Sequence, residues 1–163
     1  MSDRKSYDQH LRVIGQALEA IDAAANRWLS DLAGDGWAVE LRAYSEQKSG
    51  KVEEKISLRV QAPDHPGKWR GYWSTSSGQR RRFDLAVMLA IGDVVRGLHG
   101  GSWSTMFFDE CLDALDERGK ERAVAMMHDL ARKTCVVVVS HDPDVITRLK
   151  PDRHVQVESG RIL

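Results

Sequence analysis

Thr105-Met106-Phe107-Phe108-Asp109-Glu110, answered further along by Val136-Val137-Val138-Val139-Ser140-His141, is the part of this sequence that decides its fold. Each segment is an apolar run that ends in polar, ionisable groups. Continuous β-branched runs such as Val136 to Val139 suit parallel strands covered on both faces. Between the two runs, residues 117–132 carry a helical pattern. Strand, helix, strand is the α/β order, and it predicts a largely parallel sheet. Ligands gather beyond the carboxyl ends of the strands in such a sheet. Asp109, Glu110 and His141 are therefore expected on one edge.

Working outward, a short helix is expected after Asp142. A last strand, His154-Val155-Gln156-Val157-Glu158, is closed by Ser159-Gly160. Upstream, Phe83, Val87, Ala90, Ile91 and Val94 sit at helical spacing and run out near Gly97. Further back, two alternating runs (Trp37, Val39, Leu41, Ala43 and Ile56, Leu58, Val60, Ala62) predict a β-hairpin turning at Lys48-Ser49-Gly50-Lys51. Pro63-Asp64-His65-Pro66-Gly67 is a second turn, and residues 68–73 read as a tryptophan-rich strand. Tryptophans on a strand are more often core than surface.

The first segment repeats apolar residues at alternating spacings of four and three: Tyr7, Leu11, Ile14, Leu18, Ile21, Ala25, Trp28 and Leu32. That is a heptad seam. It suits a coiled-coil strand or a helix packed on its own domain, because the two periods diverge slowly. Gly34-Asp35-Gly36 ends the helix. The expected division is a coiled-coil-type helix over 1–33 and an α/β lobe over 34–163.

Composition narrows the function. The chain has 163 residues and a formal net charge of zero, so no global field draws it to nucleic acid. Cys111 and Cys135 show no metal-ligand spacing and are expected as reduced thiols of a cytosolic protein. No apolar run is long enough to span a bilayer, and the polar start argues against a secretory signal.

The chemistry lies at the ends of the two apolar runs. Asp109, directly after a strand, can hold Mg²⁺, usually through water. Glu110 beside it can orient and deprotonate an attacking water. An imidazole at His141 could reach a γ-phosphate or that water. Thr75-Ser76-Ser77-Gly78-Gln79 opens a helix. Its small residues permit close backbone approach, and a helix N-terminus favours anions; serine is equally a common N-cap. Arg80-Arg81-Arg82 places cations in the first turn, against the usual dipole preference, which suits a solvated basic face or a bound anion.

Taken in order, Thr75 to Gln79, Phe107-Phe108-Asp109-Glu110, Asp113-Ala114-Leu115-Asp116 and Val139-Ser140-His141-Asp142 resemble the signature, Walker B, D-loop and switch-histidine motifs of the C-terminal head lobe of SMC-like ATPases. The likeness is strongest to the ATPase subunit of the double-strand-break repair nuclease complex, within the ABC ATPase superfamily. The resemblance implies ATP and Mg²⁺ as cofactors. It implies that Ser76 and Gly78 contact the γ-phosphate of ATP held by an opposing head, with Ser77, Gln79 and Asp116 also in the ATP-binding set. It further implies that Asp109 serves the metal, Glu110 is the general base, His141 senses the γ-phosphate and Asp116 communicates across the dimer. It makes the heptad helix the returning strand of an antiparallel coiled coil. The chain departs from the pattern at Ser77, where glycine is usual, at Thr75, where leucine is common, and at Cys111, where many relatives have proline.

The larger departure is the missing phosphate-binding loop. Gly50-Lys51, Gly67-Lys68 and Gly119-Lys120 are not followed by Ser or Thr, and the upstream glycine position holds Ser45, Ala62 or Ala114. The isolated chain is therefore expected neither to bind ATP tightly nor to hydrolyse it. The expected partners are an N-terminal P-loop lobe, a second head in a homodimer, a nuclease subunit and DNA, without a membrane, in the nucleoid-associated cytoplasm. Lys68, Arg70 and Arg80 to Arg82, interleaved with Trp69 and Trp73, are the candidate DNA patch. Two other readings stay open: a fragment of an ABC transporter nucleotide-binding domain, and a non-catalytic module that pairs with an intact head and regulates it.

Overall fold

The computed structural model describes residues 2–46, 52–101 and 104–162, with side-chain surroundings for 13–43, 56–98, 100–101 and 104–162. The expected turn at Lys48 to Lys51 and the seam side chains of Tyr7 and Leu11 lie outside the described residues.

The apolar repeat at the start becomes one long helix, α1 (Ser2–Ala33), released at Gly34, whose φ of +82° a side chain would strain. Ala25, Leu29 and Leu32 are fully or almost fully buried, so the C-terminal half of the seam packs on its own lobe. Higher up, Val13 is 59% and Ile14 42% exposed. Two strands follow, β1 (Ala38–Glu46) and β2 (Val52–Gln61), antiparallel with Val39 opposite Val60 and Leu41 opposite Leu58. The inward faces expected from alternation thus meet, until a register shift between Arg42 and Tyr44 breaks the pattern. Polar residues of α1 close the hairpin's outer edge. Asn26 Nδ2 donates to the Val39 carbonyl at 2.9 Å and its Oδ1 accepts from the Val39 amide at 3.0 Å. Asp22 Oδ1 accepts from the Leu41 amide at 2.8 Å. These side chains stand in for a neighbouring strand and blunt an otherwise open edge.

The strand expected over 68–73 shrinks to β3 (Arg70–Gly71), paired with β2 only at Val60 and Arg59. A 3₁₀ turn (Tyr72–Ser74) then redirects the chain. Trp73 is 83% and Trp69 38% exposed, so the core placement expected of these tryptophans is overturned: too little strand exists to carry them inward.

Helix α2 (Ser77–His99) crosses α1 and contributes Phe83, Ala86 and Ala90 to the core. Next come β4 (Thr105–Asp109), α3 (Glu117–Ala131) and β5 (Cys135–Val139). β4 and β5 form the parallel sheet, in register from Thr105 opposite Cys135 to Asp109 opposite Val139. Met106, Phe108, Val136 and Val138 face the core. On the other face Phe107 is 73% and Val139 49% exposed. The expectation of a valine strand covered on both sides is met on one side only, because the other face stays open at Phe107 and Val139.

Helix α4 (Pro143–Leu149) docks on α3 through Arg148, which pairs with Glu117 and Asp144. The expected last strand contracts to β6 (Val157–Glu158), paired with β7 (Arg161–Ile162) across Ser159-Gly160. Both turn residues have positive φ, as a tight hairpin requires. This hairpin joins neither of the other sheets.

Candidate functional site

The parallel register fixes the site. With Asp109 opposite Val139, both strands end at one level, and the residues that follow emerge side by side. Asp109 is exposed at the last position of β4. Glu110 turns out of the sheet with φ +46°, and its amide still donates to the Val139 carbonyl at 3.0 Å. A left-handed backbone is uncommon for a glutamate, and here it aims the carboxylate across toward β5. His141 Nδ1 lies 2.9 Å from Glu110 Oε1 and 3.9 Å from Asp113 Oδ2. Donor atoms of Glu110, Asp113 and His141 lie within 4.8 Å of one another.

The electrostatics follow from the contacts. The hydrogen bond from His141 holds the Glu110 carboxyl below its ordinary range. The same bond raises the His141 imidazole, helped by the charges of Glu110 and Asp113. Asp113 is pushed up, first by desolvation and then by Glu110. The other Glu110 oxygen, Oε2, is buried without a hydrogen-bond partner among the described residues. With Nδ1 directed at Glu110 and the ring 79% exposed, His141 presents Nε2 to solvent. The arrangement can hold a carboxylate–imidazolium pair beside a free carboxylate, ready for water and a phosphate oxygen.

The loop carrying His141 is secured from below. Asp142 caps α4 by accepting from the Asp144 amide at 2.9 Å, and Lys120 Nζ of α3 pairs with it at 2.7 Å. Sequence reading assigned no role to Lys120; only the crossover of α3 under the loop reveals it.

The other motifs assemble next door. Ser76 and Gln79 form a capping box: Ser76 Oγ accepts from the Gln79 amide at 3.3 Å, and Gln79 Oε1 accepts from the Ser76 amide at 3.2 Å. Ser77 stays exposed. Thr75 is buried, and its hydroxyl donates to the Tyr72 carbonyl at 2.7 Å, so the replacement for leucine has a partner. A Cβ on Gly78 would stand 2.8 Å from the Ala114 carbonyl oxygen. The close approach that glycine permits is thus used against the chain's own 113–116 turn.

Asp116 caps α3 by accepting from the Gly119 amide at 2.8 Å, and its Oδ1 also lies 2.5 Å from Arg82 Nη2. The Gly119 amide, more than Arg82, lowers its pKa. Arg82 is buried, with its guanidinium 5.0 Å over the Trp37 ring. It is therefore no part of a solvated basic face. Among the described residues no hydrogen bond or ion pair joins Ser76 to Gln79 with Asp109, Glu110 or His141. The 110–116 segment instead touches both groups, at Ala114 on one side and Asp113 on the other.

Comparison with known proteins bears on the fold. No protein-family model matches the chain. It is 34% identical over 88 residues to a protein of Brucella suis biovar 1 named as an ABC transporter ATP-binding protein, covering 54% of this chain and 31% of the relative. The chain thus spans about a third of that curated relative. The fold is that of SMC head domains. An Smc head domain with coiled coil and joint from Pyrococcus yayanosii superposes with a TM-score of 0.69 at 18% identity, over 98% of this chain and 29% of the other. An SMC ATPase, solved in work on ATP-driven dimerization and DNA-stimulated activation, gives 0.68 at 15% identity, over 93% and 86%. The chain is thus similar in sequence to ABC-type ATP-binding proteins and has the fold of an SMC head.

Proposed function

We propose that this chain supplies the C-terminal half of an SMC-like ATPase head that works in DNA repair or recombination. The observation that carries the reading is the parallel register of β4 and β5, with Glu110 and His141 2.9 Å apart at the sheet's carboxyl end. An ABC ATPase uses a water-activating carboxylate beside a phosphate-sensing imidazole, and this edge offers both.

The residues present fit a hydrated divalent cation: Asp109 offers an exposed oxygen donor at the strand end, and beyond it donor atoms of Glu110, Asp113 and His141 lie within 4.8 Å of one another. Asp109 would hold the ion. Mg²⁺, when bound, neutralises charge that builds on the transferred phosphoryl group. Glu110 would accept the proton of the attacking water, and His141, already hydrogen-bonded to Glu110, would offer Nε2 to the γ-phosphate. Ser77 and the backbone of Gly78 would face ATP held by a second head. Asp116, tied to Gly119 and Arg82, would set the position of the 113–116 turn at that interface.

The β- and γ-phosphates have no cradle in this sequence. An N-terminal P-loop lobe would supply it and would cover the open face at Phe107 and Val139. Two completed heads would then enclose ATP between them, an isologous pairing, and would move coiled coils, DNA and a nuclease partner. Mixing the chain with a P-loop-bearing lobe should produce ATPase activity that Glu110→Gln abolishes. Turnover by the chain alone, lost on Glu110→Gln, would refute the division of the site.

The names of the curated relatives favour a second reading, a piece of a transporter's nucleotide-binding domain. No helix among the described residues is long and apolar enough to cross a membrane. Co-purification of the P-loop partner with membrane-spanning subunits would select that reading.

A further inference from the structure

We propose that Trp73 and Arg80 form a stacking site for an unpaired nucleobase. The site lies outside the Glu110–His141 cluster, and its chemistry is independent of ATP hydrolysis.

Trp73 exposes 83% of its surface, more than any other large apolar residue among those described. Yet it is held firmly. Its 3₁₀ turn is fixed by Ser74 Oγ donating to the Gly71 carbonyl at 2.7 Å and by the Thr75 hydroxyl on Tyr72. The Tyr72 ring meets the indole edge-on at 4.9 Å and 81°. Tyr72 is itself anchored, its Oη donating to Asp84 Oδ1 at 2.6 Å. The Arg80 guanidinium lies 6.0 Å from the indole centroid, and its Nη1 donates to the Trp73 carbonyl at 3.5 Å. An aromatic plane fixed in this way forfeits little entropy when a second plane stacks on it.

The surroundings select the partner. Residues 65–83 contain no Asp or Glu but include Lys68, Arg70, Arg80, Arg81 and Arg82, in a chain of zero net charge. Arg70 is paired with Asp64, and Arg82 with Asp116. Lys68, Arg80 and Arg81 form no ion pair among the described residues. A second cation–aromatic pair adjoins the first: Arg59, opposite Gly71 in the β2–β3 ladder and itself paired with Glu40 at 3.5 Å, lies 5.8 Å from the Trp69 centroid. An apolar protein partner would call for aliphatic neighbours. Exposed aromatic planes under guanidinium groups, with uncompensated cations beside them, match a base and its phosphate. Bases in a duplex are already stacked, so the ligand is a single strand or a mononucleotide.

The test uses the full chain and needs neither a P-loop lobe nor turnover, so its failure would leave the ATPase reading standing. Labelled single-stranded oligonucleotide, the same sequence as duplex, and ATP are titrated separately. Anisotropy is read for the oligonucleotides, and the Trp73 indole N–H resonance for all three. Single strand should shift that resonance and bind more tightly than duplex. Trp73→Ala should weaken single-strand binding about tenfold, with an unchanged thermal midpoint, and Trp73→Phe should restore most of it. A shift with ATP that the oligonucleotide does not exceed would assign the base to a mononucleotide. No shift with any ligand, or single-strand affinity unchanged by Trp73→Ala, would overturn the proposal. So would a sedimentation change in Trp73→Ala without any effect on nucleotide binding, which would give the surface to a second copy of the chain.

Discussion

Gly78 shows how finely single residues are constrained here. A Cβ there would stand 2.8 Å from the Ala114 carbonyl oxygen, and the obstacle is backbone. Gly78→Ala should therefore cost about 1–3 kcal/mol in urea unfolding, while Ser77→Gly, at an exposed position, should stay within about 1 kcal/mol. The Glu110–His141 pair makes a prediction in pH. His141 is raised above its ordinary 6.5, so its contribution is complete below that value and is lost as pH rises through the raised one. Glu110 is lowered from 4.5, so its contribution is present above that value and is lost as pH falls through the lowered one. Between these limits the ion pair persists. By NMR, His141 should titrate above 6.5 and move down in Glu110→Gln, even though Asp113 and Asp142 remain nearby. Both groups were legible in the sequence, because each is the second residue past the end of an apolar run. Asp113 as their neighbour and Arg82 as the partner of Asp116 were not, since those pairings depend on how the 110–116 turn folds back.

At the scale of elements, α3 depends on its first turn. Asp116→Ala removes the acceptor for the Gly119 amide and strands the buried Arg82 guanidinium. The expected loss is about 2 kcal/mol, and α3 amides should exchange faster at their N-terminal end. Folding lowers the Asp116 pKa from 3.8, so its contribution is present above that value and vanishes as acid carries pH below the lowered one. Long periodic segments were readable: α1, α2 and α3 lie where the apolar spacing put them, and β1 and β2 pair through the expected faces. Short elements were not. The 68–73 run has strand composition, but the chain turns at Tyr72 after two paired residues, and local preference cannot foresee that. Likewise β6 is a brief exposed hairpin arm, because among the described residues it pairs only with β7 and joins neither of the other sheets. The closure of the β1 edge by Asp22 and Asn26 was not legible, because both lie in a helix whose periodic signal is its apolar seam.

For the whole molecule, the parallel sheet is unfinished. Two strands carry a continuous apolar run, one face is packed, and each strand leaves one side of its backbone unpaired within the sheet. A P-loop lobe that completes it should slow hydrogen exchange at Phe107 and Val139, and leave the β1–β2 hairpin, already edged by α1, unchanged. Equal protection changes in both sheets would speak against completion at β4 and β5. The proposed lobe rests in the sequence only on a motif that never occurs; the open face at Phe107 and Val139 is where it would dock. The same unfinished ladder has a solubility consequence. Bare strand backbone next to Phe107 accepts any extended segment, another molecule of this polypeptide included. Concentrated solutions of the lone chain should therefore aggregate through β4 and β5, and production alongside the completing lobe should suppress it.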